Sequence, residues 1–221
     1  SSGVAAAISA GFGAPLAGLI YAREVVLRHQ SLASFSPILL SSIISYFVTI
    51  EIFKYEPTFD IPIVNQNNPV NILLIIIAGI FSGLLASLYS YLLTNKNLNF
   101  LNNIGSRSYL TPAYAAVICG IIAMKFPEVT GIGTETINNL LNNRVNLNLA
   151  LSFLILKLIL TTLCIRMGLV GGIFAPALFL GASLGVVSAG LGSLILEDIN
   201  PFLIILSSMS ALGSCIIGGP I

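Results

Sequence analysis

The sequence predicts an all-α integral membrane protein built as a bundle of tilted and broken helices. Of its 221 residues, 56% are hydrophobic and only 8% are charged, and the mean hydropathy is +1.00. Soluble domains carry about 25% charged residues. The apolar segments are long and continuous rather than alternating, which favours membrane-spanning helices over a β-barrel.

The apolar segments differ in length, and Gly or Pro residues separate several of them. Pro37, Pro112 and Pro201 each stand where an apolar segment begins, as expected for helix starts. The predicted helices cover residues 3–8, 16–26, 37–53, 70–93, 112–126, 147–169, 177–195 and 201–217. A crossing needs about 20 residues, so short pieces stand beside full spans. A further short helix, capped by Thr134, is predicted to have an apolar face, which comprises Ile137, Leu140 and Leu141.

The charged loops give a consistent orientation. Positive charge in short loops marks the cytoplasmic side. Arg23 and Arg28 lie in one such loop, and Lys96 and Arg107 lie in another. The more acidic loop at residues 54–68 should then face outward. Because the chain does not begin with Met and both of its ends lie inside apolar runs, we interpret it as incomplete at both ends.

Composition also excludes several classes of function. A net charge of +1 gives no bulk attraction for nucleic acid. His29 is the only histidine, and Cys119, Cys164 and Cys215 lie far apart in the sequence, so we expect packing cysteines, no metal site and no disulfide framework. The acids form no pair spaced for hydrolysis, and the serines have no histidine-based partner. We therefore expect neither an enzyme nor a cofactor.

A Gly-Pro stretch between two membrane-length segments is the first candidate site. Its residues are Gly171, Gly172, Ile173, Phe174, Ala175 and Pro176. The glycines allow tight or positive-φ backbone, and the proline suits the first turn of the next helix. The N–H groups of such a helix start carry about half a positive charge and stabilise a bound anion by about 0.3–2 kcal/mol. The stretch is either a hinge without a ligand or an anion site inside the membrane.

Two similar breaks occur near the ends of the chain. Residues 9–16 read Ser-Ala-Gly-Phe-Gly-Ala-Pro-Leu, and residues 214–221 read Ser-Cys-Ile-Ile-Gly-Gly-Pro-Ile. Non-helical backbone at membrane depth is tolerated only where it is buried or lines a cavity. Repeated halves with interrupted helices are typical of secondary transporters, and chance recurrence in a Gly-rich chain is the alternative.

These motifs resemble those of the CLC family of chloride channels and chloride/proton exchangers. Residues 172–176 match its GxFxP motif, and residues 12–18 resemble its FNAPLAG-type segment with Gly13 in place of the usual Asn. Residues 218–221 resemble the matching segment of the second half, and residues 24–28 and 130–133 resemble bacterial members. The resemblance implies that residues 1–221 form a single CLC-like pore domain.

The resemblance further implies an inverted-repeat fold whose broken helices meet mid-membrane around chloride. The backbone N–H groups of Ile173 and Phe174 would bind chloride, and Gly171 would permit the backbone path. Residues 172–176 would form one of three selectivity-filter segments. The GSGIP-type segment, the GREGP-type segment with the gating glutamate, and the late pore tyrosine are not among these residues. The family forms homodimers, and this member would lie in the inner (plasma) membrane of a bacterium.

The segment after Pro15 bears on whether chloride flow is coupled to protons. In proton-coupled members an inner glutamate follows the FNAPLAG-type helix, and here Val25 holds that position with Glu24 just before it. Valine cannot relay a proton, which favours uncoupled conduction and leaves Glu24 as the candidate for a proton pathway. The alternative functions are a truncated, non-transporting membrane subunit or scaffold, and a transporter of another small anion such as fluoride, nitrate or a carboxylate.

Lys157 lies inside a predicted span, where a lysine usually faces protein or water. It either adds positive potential near a pore or pairs with a carbonyl or carboxylate group, and we favour the pairing. It precedes Gly171 by 14 residues, about 21 Å along a straight helix, so we expect no direct contact with a bound anion. Farther on, Gly181 and Gly185 form a GxxxG pattern, which predicts close packing of two helices.

Overall fold

A computed structural model of the chain describes residues 1–28, 32–55, 58–59, 69–95, 110–194, 196 and 199–219. These residues form nine α-helices and no strand. The helices are α1 (Ser2–Phe12), α2 (Pro15–Tyr21), α3 (Leu32–Phe47), α4 (Pro69–Thr94), α5 (Thr111–Lys125), α6 (Thr134–Leu141), α7 (Leu147–Arg166), α8 (Phe174–Gly192) and α9 (Pro201–Ile217). His29, Lys96, Arg107, Pro220 and Ile221 lie outside the described residues.

Irregular helical turns accompany these helices. A π-helical turn continues α2 over Ala22–Leu27, and another continues α3 over Val48–Ile52. A 3₁₀ turn, Pro127–Val129, follows α5. Such turns change the direction of side chains without ending the helical path.

Within the described residues, four helices are long and apolar enough to cross a membrane. These candidate spans are Ser34–Ile52, Asn71–Thr94, Leu147–Arg166 and Phe174–Gly192. The helices α1, α5 and α9 are apolar but shorter. The prediction that short helices accompany full-length spans is therefore confirmed for the described part of the chain.

The chain divides into two compact units, and the first comprises Ser1–Asp60 with Ile217–Ile221. In this unit, serine hydroxyls join α3 to α1 and α2. Ser41 Oγ donates to the carbonyl of Ser2 (2.7 Å), Ser42 Oγ to that of Pro15 (2.5 Å), Ser45 Oγ to that of Ala6 (2.8 Å), and Ser9 Oγ to that of Ser42 (2.6 Å). Apolar helices gain no hydrophobic attraction for one another in lipid, so such bonds and close packing hold them together.

The break between α1 and α2 is shorter than the sequence predicts. Residues 9–15 were expected to interrupt the helix, but α1 continues to Phe12, because the helix ends only where Gly13 takes a left-handed conformation. Gly13, with φ 64°, ends α1, and Pro15 starts α2. Gly218, with φ 74°, follows the end of α9, so both Gly-x-Pro segments begin with a left-handed glycine.

The second unit, Ile61–Ile216, contains α4 to α9. Helix α8 is its most enclosed element, since every residue from Ala177 to Ser183 is buried. Tyr89 of α4 and Leu154 of α7 pack in one core cluster with Leu180 of α8 and Leu212 of α9. This packing holds the first turns of α8 in place, and these turns carry the candidate site.

Helix α6 lies against α8, and its start differs from the expectation. Thr134 does not cap the helix but is its first residue, and Gly133, with φ 76°, precedes it as the N-cap. A Cβ atom on Gly133 would lie 2.7 Å from Cδ2 of Phe179, so the close approach to that ring requires glycine. The predicted apolar face is confirmed, because Ile137, Leu140 and Leu141 are buried.

The GxxxG pattern marks close packing of α8 on α9, as predicted. A Cβ atom on Gly181 would lie 2.5 Å from Cα of Met209 and 2.8 Å from the carbonyl oxygen of Ser208. Gly185 meets the backbone of Ile205 in the same way. The two helices therefore approach each other backbone to backbone.

We expect Gly181→Ala to destabilise the full-length protein by about 1–3 kcal/mol, because the added methyl group must push α9 away from α8. Thermal unfolding in detergent measures this loss. Gly83→Ala in α4 is the matched control, since no described atom lies within 4 Å of its added Cβ. The control should unfold no earlier than the unmodified protein. Equal unfolding temperatures for the two variants would contradict this packing.

Candidate functional site

Helix α8 begins within the Gly-Pro stretch with Pro176 in its first turn, as predicted, and three residues before the apolar segment that starts at Ala177. Phe174 is its first residue, and Ile173 is the N-cap with φ −95° and ψ −18°. The first helical hydrogen bond runs from the N–H of Ala177 to the carbonyl of Ile173 (3.1 Å). Pro176 fits inside this turn because N–H groups of a first helical turn have no partner within the helix.

The N–H groups of residues 173–175 therefore precede the hydrogen-bond ladder of α8. Gly171 and Gly172 are exposed, and no described atom lies within 4 Å of where a Cβ would stand on either. Ile173 is 40% exposed. Together these features leave open space in front of a helix end that carries about half a positive charge.

The left-handed glycine of this loop is Gly168 rather than Gly171 or Gly172. Gly168 has φ 88° and reverses the chain after α7. The N–H of Leu169 donates to the carbonyl of Cys164 (2.9 Å), which closes the last turn of α7. Arg166 donates through its Nη2 to the carbonyl of Asn95, which fixes the end of α7 to the end of α4.

A cavity of about 370 Å³ lies beside the loop. Gly171, Gly172, Pro176, Lys157, Cys119 and Cys164 are among the residues that line it. Lys157 was expected far from the loop, since 14 residues separate it from Gly171. It nevertheless lines the same cavity, because the chain reverses after α7 and α8 packs back along that helix.

Lys157 is held by carbonyl groups, as predicted. Only 3% of the residue is exposed, and its Nζ donates to the carbonyls of Val129 (2.7 Å) and Gly131 (2.8 Å). The ammonium also lies 4.8 Å from the ring centroid of Phe179, within the range of a cation–π contact. The sequence did not identify the two carbonyls, although Gly131 and Gly133 signalled unusual backbone there, and both have positive φ.

Cys119 of α5 and Cys164 of α7 come together at this cavity. Their Sγ atoms are 3.0 Å apart, and one thiol donates a hydrogen bond to the other. Their distance in sequence suggested unrelated packing residues, so the sequence analysis missed this contact. Both thiols are free, and Cys215 is a third free and exposed cysteine.

Glu24 lies in the first unit, in the π-helical turn after α2, and is half-buried. A Cβ on Gly219 would stand 3.4 Å from Glu24 Oε2 and 3.2 Å from Val25 Cγ2, so that glycine packs against both side chains. Arg23 lies 5.8 Å from the ring centroid of Phe35, and Arg28 Nε donates to the carbonyl of Val25 (3.4 Å). The role of Glu24 in a proton pathway stays a prediction.

The chain is similar to known proteins along its whole length. Residues 1–221 match the family described as Voltage gated chloride channel. The chain is 29% identical over 214 residues to Chloride channel protein CLC-f of Arabidopsis thaliana, with 91% of the chain and 27% of that protein covered. It is 28% identical over 233 residues to the H(+)/Cl(-) exchange transporter ClcA of Vibrio vulnificus, with 100% of the chain and 49% of that protein covered.

A solved structure shares the fold. The crystal structure of a CLC-type fluoride/proton antiporter aligns with a TM-score of 0.75 at 21% identity and covers 97% of this chain and 53% of that one. The predicted all-α CLC-like fold is thus confirmed. The chain spans about a quarter to a half of the length of these curated relatives. The match over residues 1–221 nevertheless establishes the family, and the chain is a membrane protein that belongs to the voltage gated chloride channel family.

Proposed function

We propose that this chain forms part of a transmembrane chloride pathway, with the N-terminus of α8 as one wall of the anion site. The observation that supports the proposal is the position of the first helical hydrogen bond, from Ala177 to Ile173, which leaves residues 173–175 ahead of the ladder. The relatives named above are described as a chloride channel protein and an H(+)/Cl(-) exchange transporter. Because the chain spans less than half of each, transport is proposed for the full-length protein.

Backbone dipoles suit an ion that must bind and then leave. The end of α8 offers about half a positive charge, so it attracts an anion without the full charge of an arginine or lysine. Conduction requires binding that is favourable enough for entry and weak enough for exit. In this proposal the N–H groups of Ile173 and Phe174 face chloride, and Gly171 and Gly172 keep side chains out of its path.

We further propose that chloride flow is not coupled to protons. Val25 stands where proton-coupled members have the inner glutamate, and an isopropyl side chain cannot carry a proton. Glu24 precedes Val25 in the sequence and carries a carboxylate. Its side chain packs against Gly219. If the protein exchanges protons after all, Glu24 is the first residue to replace.

The cellular setting is also part of the proposal. We infer a homodimer in the inner (plasma) membrane of a bacterium, since the motifs resemble bacterial members and the Vibrio relative matches the whole chain. No cofactor is needed for this role, and chloride is the substrate. A transporter of fluoride or nitrate and a non-transporting scaffold remain as outcomes of the test.

The test is ion flux from liposomes that contain the full-length protein and are loaded with chloride. We expect chloride efflux that has the same rate with and without a proton gradient. Parallel liposomes loaded with fluoride or nitrate measure selectivity, and protein-free liposomes give the background leak.

Each other result overturns a specific part of the proposal. Absence of efflux for every anion would support the scaffold alternative. Faster efflux of fluoride or nitrate than of chloride would change the substrate. Proton movement driven by a chloride gradient would show that Val25 does not prevent coupling.

A further inference from the structure

Two thiols from different helices meet at the wall of the cavity beside the α8 loop. Cys119 lies in the middle of α5, and Cys164 lies two residues before the end of α7. Their sulfur atoms are 3.0 Å apart. A disulfide bond measures about 2.05 Å, so the two sulfur atoms are about 1 Å farther apart than bonded sulfurs.

The surroundings of the pair give a reagent access to it. Both cysteines are partly buried rather than enclosed, and both line the cavity of about 370 Å³. Lys157 lines the same cavity and precedes Cys164 by seven residues, so both side chains lie on one face of α7, two turns apart. A small uncharged oxidant that enters the cavity would therefore meet both thiols.

We propose that Cys119 and Cys164 form a reversible disulfide bond in response to hydrogen peroxide. One thiol, as its thiolate, attacks a peroxide oxygen, which breaks the O–O bond and yields a sulfenic acid and hydroxide. The second thiol attacks the sulfenic sulfur, the S–S bond forms, and water leaves. Overall, two thiols lose two electrons and two protons, and one peroxide is reduced to two water molecules. A dithiol reductant restores both thiols by exchange.

The bond would fasten α5 to the part of α7 that leads into the candidate site. The carbonyl of Cys164 accepts the N–H of Leu169, and Gly168 reverses the chain between them. The residues that follow are Gly171 and Gly172. A disulfide at Cys164 would thus hold the base of this loop, while the covalent step itself does not depend on whether chloride is the transported ion.

The experiment oxidises the full-length protein in liposomes with hydrogen peroxide, alkylates the remaining thiols after denaturation, and analyses the peptides by mass spectrometry. We expect Cys119 and Cys164 to appear as one linked peptide pair that separates after reduction with dithiothreitol. Cys215 lies outside this pair and should carry the alkyl label both before and after oxidation, which makes it the internal control for labelling.

Single variants make the assignment specific. In Cys119→Ser and in Cys164→Ser the linked pair should disappear, whereas Cys215→Ser should leave it unchanged. Alkylation of both Cys119 and Cys164 after peroxide treatment would overturn the proposal. So would a linkage of either residue to Cys215. Because the readout is covalent, its failure is distinct from any failure of the chloride flux assay.

Discussion

Replacement of Ile173 with proline is expected to reduce chloride flux through the full-length protein by about 10- to 100-fold. The change removes the N–H group that stands just before the first helical turn of α8. A hydrogen bond to a charged group contributes about 1.5–3 kcal/mol, and 1.4 kcal/mol corresponds to a tenfold change in binding. The measurement is efflux from chloride-loaded liposomes at equal protein density.

Proline at this position requires φ to change from −95° to about −65°, a small adjustment for a residue at the helix start. The N–H of the N-cap residue makes no bond within the helix, and the preceding residue is Gly172, which has a wide choice of conformations. Ile173→Ala is the matched control, because it removes the same partly exposed side chain and keeps the N–H. Equal flux in the two variants would show that this N–H does not bind the transported ion.

The second large effect concerns Lys157. We expect Lys157→Met to destabilise the protein by about 2–6 kcal/mol, because the carbonyls of Val129 and Gly131 each lose a donor at a cost of about 1–3 kcal/mol. Methionine is uncharged and similar in length to lysine, so it fills the same space. Lost packing therefore contributes little to the change. The free energy of unfolding in detergent measures the change.

Lys125 provides a matched control for this variant. It is exposed, and its Nζ lies 6.0 Å from the ring centroid of Phe126, so it has an aromatic contact like that of Lys157 without the bonds to Val129 and Gly131. Lys125→Met removes the same charge and should cost less than about 1 kcal/mol. A similar loss in both variants would mean that the carbonyl bonds of Lys157 do not stabilise the fold.

Hydropathy predicted the positions of the long helices well, because insertion of a segment into lipid depends on the composition of that segment. Their ends were less predictable. The apolar segment of α8 begins at residue 177, but the position of Pro176 predicted an earlier first turn, and the helix does begin at Phe174 with Pro176 inside that turn. The sequence also ended α1 too early, at Ile8, whereas the helix continues to Phe12 and ends at the left-handed Gly13.

The partners within the candidate site could not be predicted in the same way. Lys157 was expected to pair with a polar group, but its partners, Val129 and Gly131, precede it by 28 and 26 residues. Cys119 and Cys164 are 45 residues apart in sequence. Such pairs depend on how α5, α7 and the turn before α6 pack, and periodicity within one helix contains no information about that packing.

The serine bonds of α3 bear on how the chain enters the bilayer. Helix α2 with its π-helical turn has seven and six residues, about 20 Å in length, which is shorter than the hydrocarbon layer of about 30 Å. It cannot be a stable insertion unit alone. Helix α3 contributes to a full span, and its hydroxyls bind carbonyls at Pro15 and Ala6. We therefore expect α1 and α2 to settle in the bilayer only after α3 has left the ribosome, so that the break between α1 and α2 is assembled as a group of helices during translation.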